Sequence, residues 1–500
     1  MRKRWLGGVV TFLFTCATLG AQNLQDFEKK VTEFTLGNGL HFIVLQRPNA
    51  PVVSMVTLVN VGAANDQAGR TGLAHMLEHM AFKGTETLGT KNWPEESKTL
   101  AQIEAIYDKI DSETNKGPRG DKAVIEKLTA ELKAAIEKAN SYVEKEAYSK
   151  IIDQNGGVGM NASTSIDYTN YFYSLPANRV ELWFLLTSQV FKEPIMREFY
   201  KERDVVREER RMRMESSVQG KMMETMLGIA FPAHPMHTII GWASDIENLR
   251  AKDSTAFFRQ HYVPSNMVMV LSGDVDPKEI KRLADQYFSG LKSGPTPPRV
   301  ITKEMAQYGE RRATVETESQ PMVYIGYKRP ETNHPDDAAL SVLAGALSSG
   351  RTGILYKKMV EEKRLALITQ AGANFPSDKY PGLFLLISVP GAGKTIEENE
   401  KAIYEILEEV KNKPLDAAVL QRQKTQLRAS LIRGLDSNMG MAQNLAVNHV
   451  LRGSWKNLFT DLEDIDKVTA EDVQRVAKQY FVEAGRTVVT TKPVAKKESK

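Results

Sequence analysis

Five hundred residues with 42% apolar and 26% charged side chains exceed what one compact core holds, so roughly two to four domains are expected and wholesale disorder is excluded. A formal charge of +4 on so long a chain leaves no electrostatic footprint for nucleic acid. With Cys16 as the single cysteine, no disulfide framework is available.

Basic Met1-Arg2-Lys3-Arg4 precedes an apolar run, Trp5 to Phe14, too short to span a bilayer as a helix. Small residues follow as far as Ala21. The pattern predicts a signal peptide over residues 1–21 and export to the bacterial periplasm or envelope. Losing Arg2, Lys3 and Arg4 takes the charge from +4 to about +1 and removes Cys16 as well. Leu13-Phe14-Thr15 before Cys16 matches a lipoprotein signal poorly, so lipidation is not expected. No other run reaches transmembrane length.

The stretch from Val31 to Asn60 reads as strand, turn and strand around Gly37-Asn38-Gly39. A helix follows, and it contains His75-Met76-Leu77-Glu78-His79. Two histidines four apart on a helix share one face and can reach one metal ion. Glu78, about one turn past His75, lies close to that face and can act on water held by the metal. The spacing inverts the commoner His-Glu-x-x-His pattern. Residues 93–152 change to a Lys-, Glu- and Ala-dense composition. Leu100, Ile103, Tyr107 and Ile110, then Leu128, Leu132 and Ile136, recur at helical spacing on either side of Lys116-Gly117-Pro118-Arg119-Gly120. This predicts a helical hairpin inserted in the first domain, acting as a solvated decoration, a cover over the cleft or a partner contact.

Gly156 to Thr164, with Asn161 and Ala162, returns the chain to the fold, and Glu202 and Glu209 fall seven apart on an Arg/Glu-rich helix, hence on one face. Residues 291–310, rich in glycine and proline at their start, predict a linker. The predicted units are thus 22–290, 311–492 and a basic tail over 493–500. Beyond the linker, strand and helix recur in an order similar to the first half, which suggests an internal duplication with the metal helix only in the first copy. Pro390-Gly391-Ala392-Gly393-Lys394-Thr395 lacks the first glycine of a phosphate loop and reads as a turn, with Thr395 capping the next helix. His234 and His237 read as structural loop residues.

In their order along the chain, the His-x-x-Glu-His helix, the Asn161-Ala162-Ser163-Thr164 segment and the Glu202…Glu209 helix resemble the pitrilysin-type inverzincins. That group includes mitochondrial processing peptidases and insulin-degrading enzymes. Residues 240–246 (Ile-Gly-Trp-Ala-Ser-Asp-Ile), 261–266 and 350–356 resemble the same family. The resemblance implies an α+β fold of two homologous domains, each a largely antiparallel sheet covered by helices, enclosing a substrate cavity. It implies one Zn2+ per chain on His75, His79 and Glu209, with Glu78 as general base and Glu202 as the acid that steadies the site. Asn161 and Ala162 would lie on an edge strand that pairs with the backbone of a peptide or unfolded polypeptide. The activity implied is zinc-dependent endopeptidase; the alternative is a non-catalytic scaffold of the same fold. Two departures stand out. The 93–152 insert separates the histidines from Glu209, and Val360 and Leu367 occupy the places where active relatives carry an Arg and a Tyr. Neither side chain donates a hydrogen bond. This points to a heterodimer whose paralogous subunit supplies the pair; the alternative is a homodimer or monomer that uses other donors, or a slow enzyme.

Overall fold

The computed structural model describes residues 27–494. The signal segment with Cys16 and most of the basic tail lie outside the described residues. Eleven strands make two sheets among these residues. The first contains β1 (Val31–Thr35), β2 (His41–Gln46), β3 (Val52–Val59), β4 (Val158–Thr164), β5 (Thr169–Pro176) and β6 (Met267–Gly273), in the order β1-β2-β6-β3-β5-β4. The second contains β7 (Arg311–Thr317), β8 (Val323–Arg329), β9 (Ala366–Phe375), β10 (Gly382–Pro390) and β11 (Arg486–Pro493), in the order β7-β11-β8-β10-β9. Apart from β1, the two orders are the same pattern, with each strand number raised by five. Each sheet is antiparallel except for one pair, β2 with β6 and β7 with β11. The α+β architecture of two like sheets covered by helices is therefore as the resemblance implied.

Burial explains the strand compositions. β3 (VVSMVTLV) and β6 (MVMVLSG) are central, lie between two layers and are almost entirely buried, so they read as near-continuous apolar runs. The edge strands β4 and β9 alternate between exposed and half-buried positions.

The halves exchange helices. Val218–Ala230, from the first half, packs Met222, Met226 and Leu227 against Met322, Tyr324 and Leu385 of the second sheet region. Asn438–Arg452, from the second half, lays Met441, Leu445 and Ala446 on Ile43, Val56 and Val268 of the first. Asp167 adds a polar lock between the halves, accepting the Ser377 hydroxyl at 2.6 Å and the Asp378 N–H at 2.8 Å.

The predicted hairpin consists of helices Trp93–Thr114 and Lys122–Ser141. A third helix, Ala147–Gln154, then returns the chain to β4. Arg197 anchors the hairpin. It and Glu96 are each 1% exposed, paired through Arg197 Nε at 2.7 Å, and the guanidinium also donates to the carbonyls of Lys83, Thr85 and Leu88. One side chain thus ties the insert to the loop that leaves the histidine helix. Arg197→Leu strands a buried carboxylate and three carbonyls, and is expected to lower stability by about 3–5 kcal/mol. The midpoint of denaturant unfolding reads this, and a change within error would remove Arg197 from that role.

His261 closes the helix Ala251–His261 and is 3% exposed, with Nδ1 unpartnered among the described residues. Burial pushes its pKa down to about 4. The unfolded chain therefore takes up the proton first. Stability is full above about pH 6.5, falls by up to about 1.4 kcal/mol per pH unit towards pH 4, and loses nothing further on this account below that. Melting curves of wild type and His261→Gln across this window are expected to differ in slope, the variant being flatter.

Pro390 ends β10, and Thr395 caps the helix Ile396–Asn412 in a reciprocal arrangement with Glu398, so the glycine-rich stretch is the turn that the sequence predicts.

Candidate metal centre

The histidine helix, Leu73–Met80, has no side-chain cap at its own N-terminus. Gly72 precedes it with φ +92°, and a Cβ there would lie 2.4 Å from the Ile240 carbonyl oxygen, so both backbone and space demand glycine. Asp66 caps from a distance: its carboxylate accepts the N–H groups of Gly72 at 2.7 Å and Ala74 at 3.0 Å. Thr71 gives its N–H and hydroxyl to Asp245, at 3.0 and 2.7 Å, and its oxygen accepts the Trp242 N–H at 2.8 Å. The 240–246 segment therefore seats the start of the histidine helix.

His75 and His79 turn their rings to the helix Phe199–Arg210, with centroids 4.7 Å apart at 75°. Glu209 Oε2 lies 3.8 Å from His75 Nε2 and 3.4 Å from His79 Nε2. The donor atoms of the three residues all fall within 4.8 Å of one another. Ligands about 2.0–2.1 Å from a tetrahedral zinc ion stand about 3.3 Å apart, so this donor set fits zinc with a slight contraction. The far sides of the ligands are held. Glu202 Oε1 is 3.0 Å from His79 Nδ1, and its other oxygen accepts the Lys83 ammonium at 2.5 Å. Glu209 Oε1 accepts Arg213 Nη1 at 2.6 Å. Carboxylates behind ligating histidines fix the tautomer and the ring orientation in this way. Arg213 lies in the turn of π-helix, Arg211–Glu215, that continues the glutamate helix.

Charge follows the geometry. Burial, and then His79, push His75 down to about 4, so its ring is neutral. At His79 burial acts the same way, but the carboxylates of Glu202 and Glu209 outweigh it and raise the pKa to about 9. Glu202 is held down at about 2, its own burial outweighed by His79 and Lys83, and the hydrogen bond from His79 holds Glu209 low. Burial raises Glu78. The Thr164 hydroxyl of β4 lies beside its carboxylate and acts in the opposite direction. Two low carboxylates converge on one imidazole that holds a proton, an arrangement in which a divalent cation can take the proton's place.

Of the residues singled out in the sequence, His75, Glu78, His79, Glu202 and Glu209 come together. Asn161 and Ala162 lie on β4, the open edge of the first sheet, which pairs only with β5. The Ala162 N–H is accepted by the Asn161 side chain at 2.9 Å. In the second half, Val360 is half-buried against the core and Leu367 is 56% exposed on the edge strand β9. Sequence reasoning missed Lys83, in the turn after the histidine helix, and Arg213, in the π-helical turn after the glutamate helix, because neither position lies on a regular α-helical face. A cavity of about 320 Å³ beside His79 and Glu202 is walled by Glu144, Lys145 and Glu146, so the returning end of the insert adjoins the site.

Residues 42–116 and 133–238 match the family described as insulinase (peptidase family M16), and residues 248–427 match the one described as peptidase M16 inactive domain. The chain belongs to peptidase family M16. All five clustered residues fall in the insulinase match, and its gap falls within the inserted hairpin. Across the M16 relatives, the chain is 29% identical to the zinc protease PqqE of Helicobacter pylori, over 98% of this chain and 99% of that protein. A crystal structure of a protease from Helicobacter pylori superposes with a TM-score of 0.77 at 27% identity, covering 93% of this chain and all of the other. The periplasmic protease PqqL of Escherichia coli shares the M16 fold at a TM-score of 0.67 and 16% identity, over 93% of this chain and 48% of that one.

Proposed function

We propose that the chain is a zinc-dependent endopeptidase that hydrolyses peptides or extended polypeptides in the bacterial envelope. The observation that carries this reading is the convergence of His75 Nε2, His79 Nε2 and Glu209 Oε2, with Glu202 locking the far side of His79. A bound zinc ion supplies Lewis-acid polarisation of the scissile carbonyl and acidifies the attacking water. Glu78, one turn along the same helix and raised by burial, would accept a proton from an attacking water and deliver it to the leaving amine. Glu202 and Lys83 hold the ring of His79 so that Nε2 faces Glu209, where zinc would be held. The free edge of β4 accepts the substrate backbone as an added strand, for which Asn161 releases the Ala162 N–H.

Three features support the finer points. The basic and apolar N-terminal segment favours export, as does the likeness to a periplasmic protease, and no helix among the described residues is long and apolar enough to cross a membrane. Val360 and Leu367 give the second half no hydrogen-bond donor at the places where relatives carry an Arg and a Tyr, so a paralogous subunit supplies the pair in a heterodimer. The competing scaffold reading draws on the inactive-domain match, but that match begins at residue 248 and leaves the five site residues outside it.

The test is zinc content, together with cleavage of a mixed pool of unstructured peptides by the chain with its native envelope partners. One zinc at the histidine helix and chelator-sensitive cleavage are expected. A chain that binds no zinc there would make the scaffold the better reading, and purification with no partner but itself would end the divided-site idea.

A further inference from the structure

The glutamate helix Phe199–Arg210 runs on into the π-helical turn Arg211–Glu215, which carries Arg213. One guanidinium nitrogen, Nη1, lies 2.6 Å from Oε1 of Glu209, the carboxylate whose other oxygen faces His75 and His79. The guanidinium therefore stands one carboxylate away from the place where the three donor atoms converge. Its charge is felt at His75 and Glu78 as well as at Glu209. Among the described residues the side chain makes no other ion pair or hydrogen bond. An arginine carries five N–H donors in a fixed fork. The Arg213 side chain is 68% exposed against 14% for Glu209, so most of that fork is open to solvent beside the candidate metal centre.

The turn that presents Arg213 is held from two sides. Glu215, its last residue, is gripped by Arg207 Nη1 at 2.9 Å and Arg210 Nε at 3.5 Å. Gly220 lies against the backbone of the turn, where a Cβ would meet the Arg213 carbonyl oxygen at 2.1 Å and the Met214 Cα at 2.6 Å. The Gly220 N–H is itself accepted by the Ser217 hydroxyl at 3.2 Å. A backbone fixed in this way gives a long side chain a defined origin, and single π-helical turns recur at functional sites. The turn leads into the helix Val218–Ala230, which packs on the second sheet region. Arg213 thus sits on the link between the candidate metal centre and the second half.

We propose that Arg213 sets substrate specificity by binding a carboxylate of the polypeptide close to its scissile bond. The inference rests on the peptidase reading and deepens it. An extended chain advances about 3.3–3.6 Å per residue, so a carboxylate that reaches Arg213 while a peptide bond lies at the candidate metal centre belongs to one of the nearest residues. The guanidinium fork matches a carboxylate with two parallel hydrogen bonds, which an amide of the same shape cannot reproduce. A lysine or arginine of the substrate in that place meets a like charge and is rejected. The carboxylate belongs either to an Asp or Glu side chain or to the C-terminus of a peptide.

The test uses unstructured peptides that differ only in carrying Glu, Gln or Lys at one position, scanned along the sequence, each with a free or an amidated C-terminus. They are given to the zinc-loaded wild type, Arg213→Gln, Arg213→Lys and Arg213→Glu with their native envelope partners, and zinc content is read on each preparation. The ratio of kcat/KM between Glu and Gln peptides cancels any difference in zinc occupancy. Wild type is expected to favour Glu about 10–100-fold at one position near the cleaved bond, the range of a charge-assisted hydrogen bond. Arg213→Gln should bring the ratio close to one, Arg213→Lys should keep part of it, and Arg213→Glu should favour Lys instead. A preference for the free C-terminus over the amide, lost in Arg213→Gln, would assign the carboxylate to the end of the peptide. Cleavage with no acid preference, or with one that survives Arg213→Gln, would overturn the proposal and leave the peptidase reading in place. Fluorescence anisotropy of the labelled peptides on zinc-loaded Glu78→Gln reads binding without turnover. The same preference is expected there and should vanish when Arg213→Gln is added; equal binding of Glu and Gln peptides would count against the proposal. If wild type cleaves nothing and this binding preference still appears, the Arg213 site stands and the peptidase reading falls.

Discussion

Glu78→Gln is expected to keep its zinc and to lose peptide cleavage by roughly 10²–10⁴-fold in kcat/KM, the range attached to a positioned general base. Zinc should stay because the proposed ligands are the Nε2 atoms of His75 and His79 and an oxygen of Glu209, none of which the substitution touches. Cleavage should go because an amide of nearly the same shape cannot take up a proton. Burial has already raised the proton affinity of Glu78, against the opposing effect of the Thr164 side chain, and so favours uptake of a proton. Metal analysis and initial rates on the same preparation separate the two effects. Cleavage at the wild-type rate by Glu78→Gln would remove the residue from the chemistry.

Removing a ligand is expected to act differently from removing its support. Glu209→Gln takes away the one charged ligand and leaves two neutral imidazole ligands, so zinc binding and cleavage should both fall below detection at stoichiometric metal. Glu202→Gln leaves all three ligands but weakens the hold on His79 Nδ1 and breaks the ion pair with Lys83. Losing a partner of this kind typically costs about 10–100-fold in metal affinity, so this variant should regain activity when zinc is raised by that factor. Competition with a chromophoric chelator measures both. Equal losses in the two variants would mean that Glu202 is itself a ligand, or that Glu209 is not.

The repeated strand order has a consequence for where chemistry can sit. Counting up by five, β4 corresponds to β9, and both are open edges of their sheets. The first half follows β3 with the histidine helix, whereas the second half follows β8 with Asp337–Ser348, an apolar helix containing no His or Glu. The His75, His79 and Glu209 cluster therefore has no counterpart on the matching helix of the second half.

Much of the candidate site was legible in the sequence because its parts are local. His75, Glu78 and His79 are placed by helical spacing alone, and the seven-residue interval of Glu202 and Glu209 puts both on one face of one helix. The inserted hairpin was legible for the same reason, from apolar residues recurring at a helical period on both sides of a Gly-Pro break. The turn at Gly391-Ala392-Gly393 and the cap at Thr395 likewise depend on neighbours within a few residues.

What only the tertiary structure decided lies between segments far apart in the chain. That β6 inserts between β2 and β3, and that each half lends a helix to the other's sheet, depends on which apolar faces fit together, and many distant pairings satisfy the same apolar pattern. Asp66 capping the histidine helix, Asp245 pinning Thr71 and Arg197 binding the insert leave no periodic trace, because hydrogen bonds and ion pairs across the fold carry no fixed spacing. By itself the sequence determined which residues can hold a metal and take a proton, since helix geometry fixes their common face; the packing of remote segments determined which ring nitrogens meet and what holds them there.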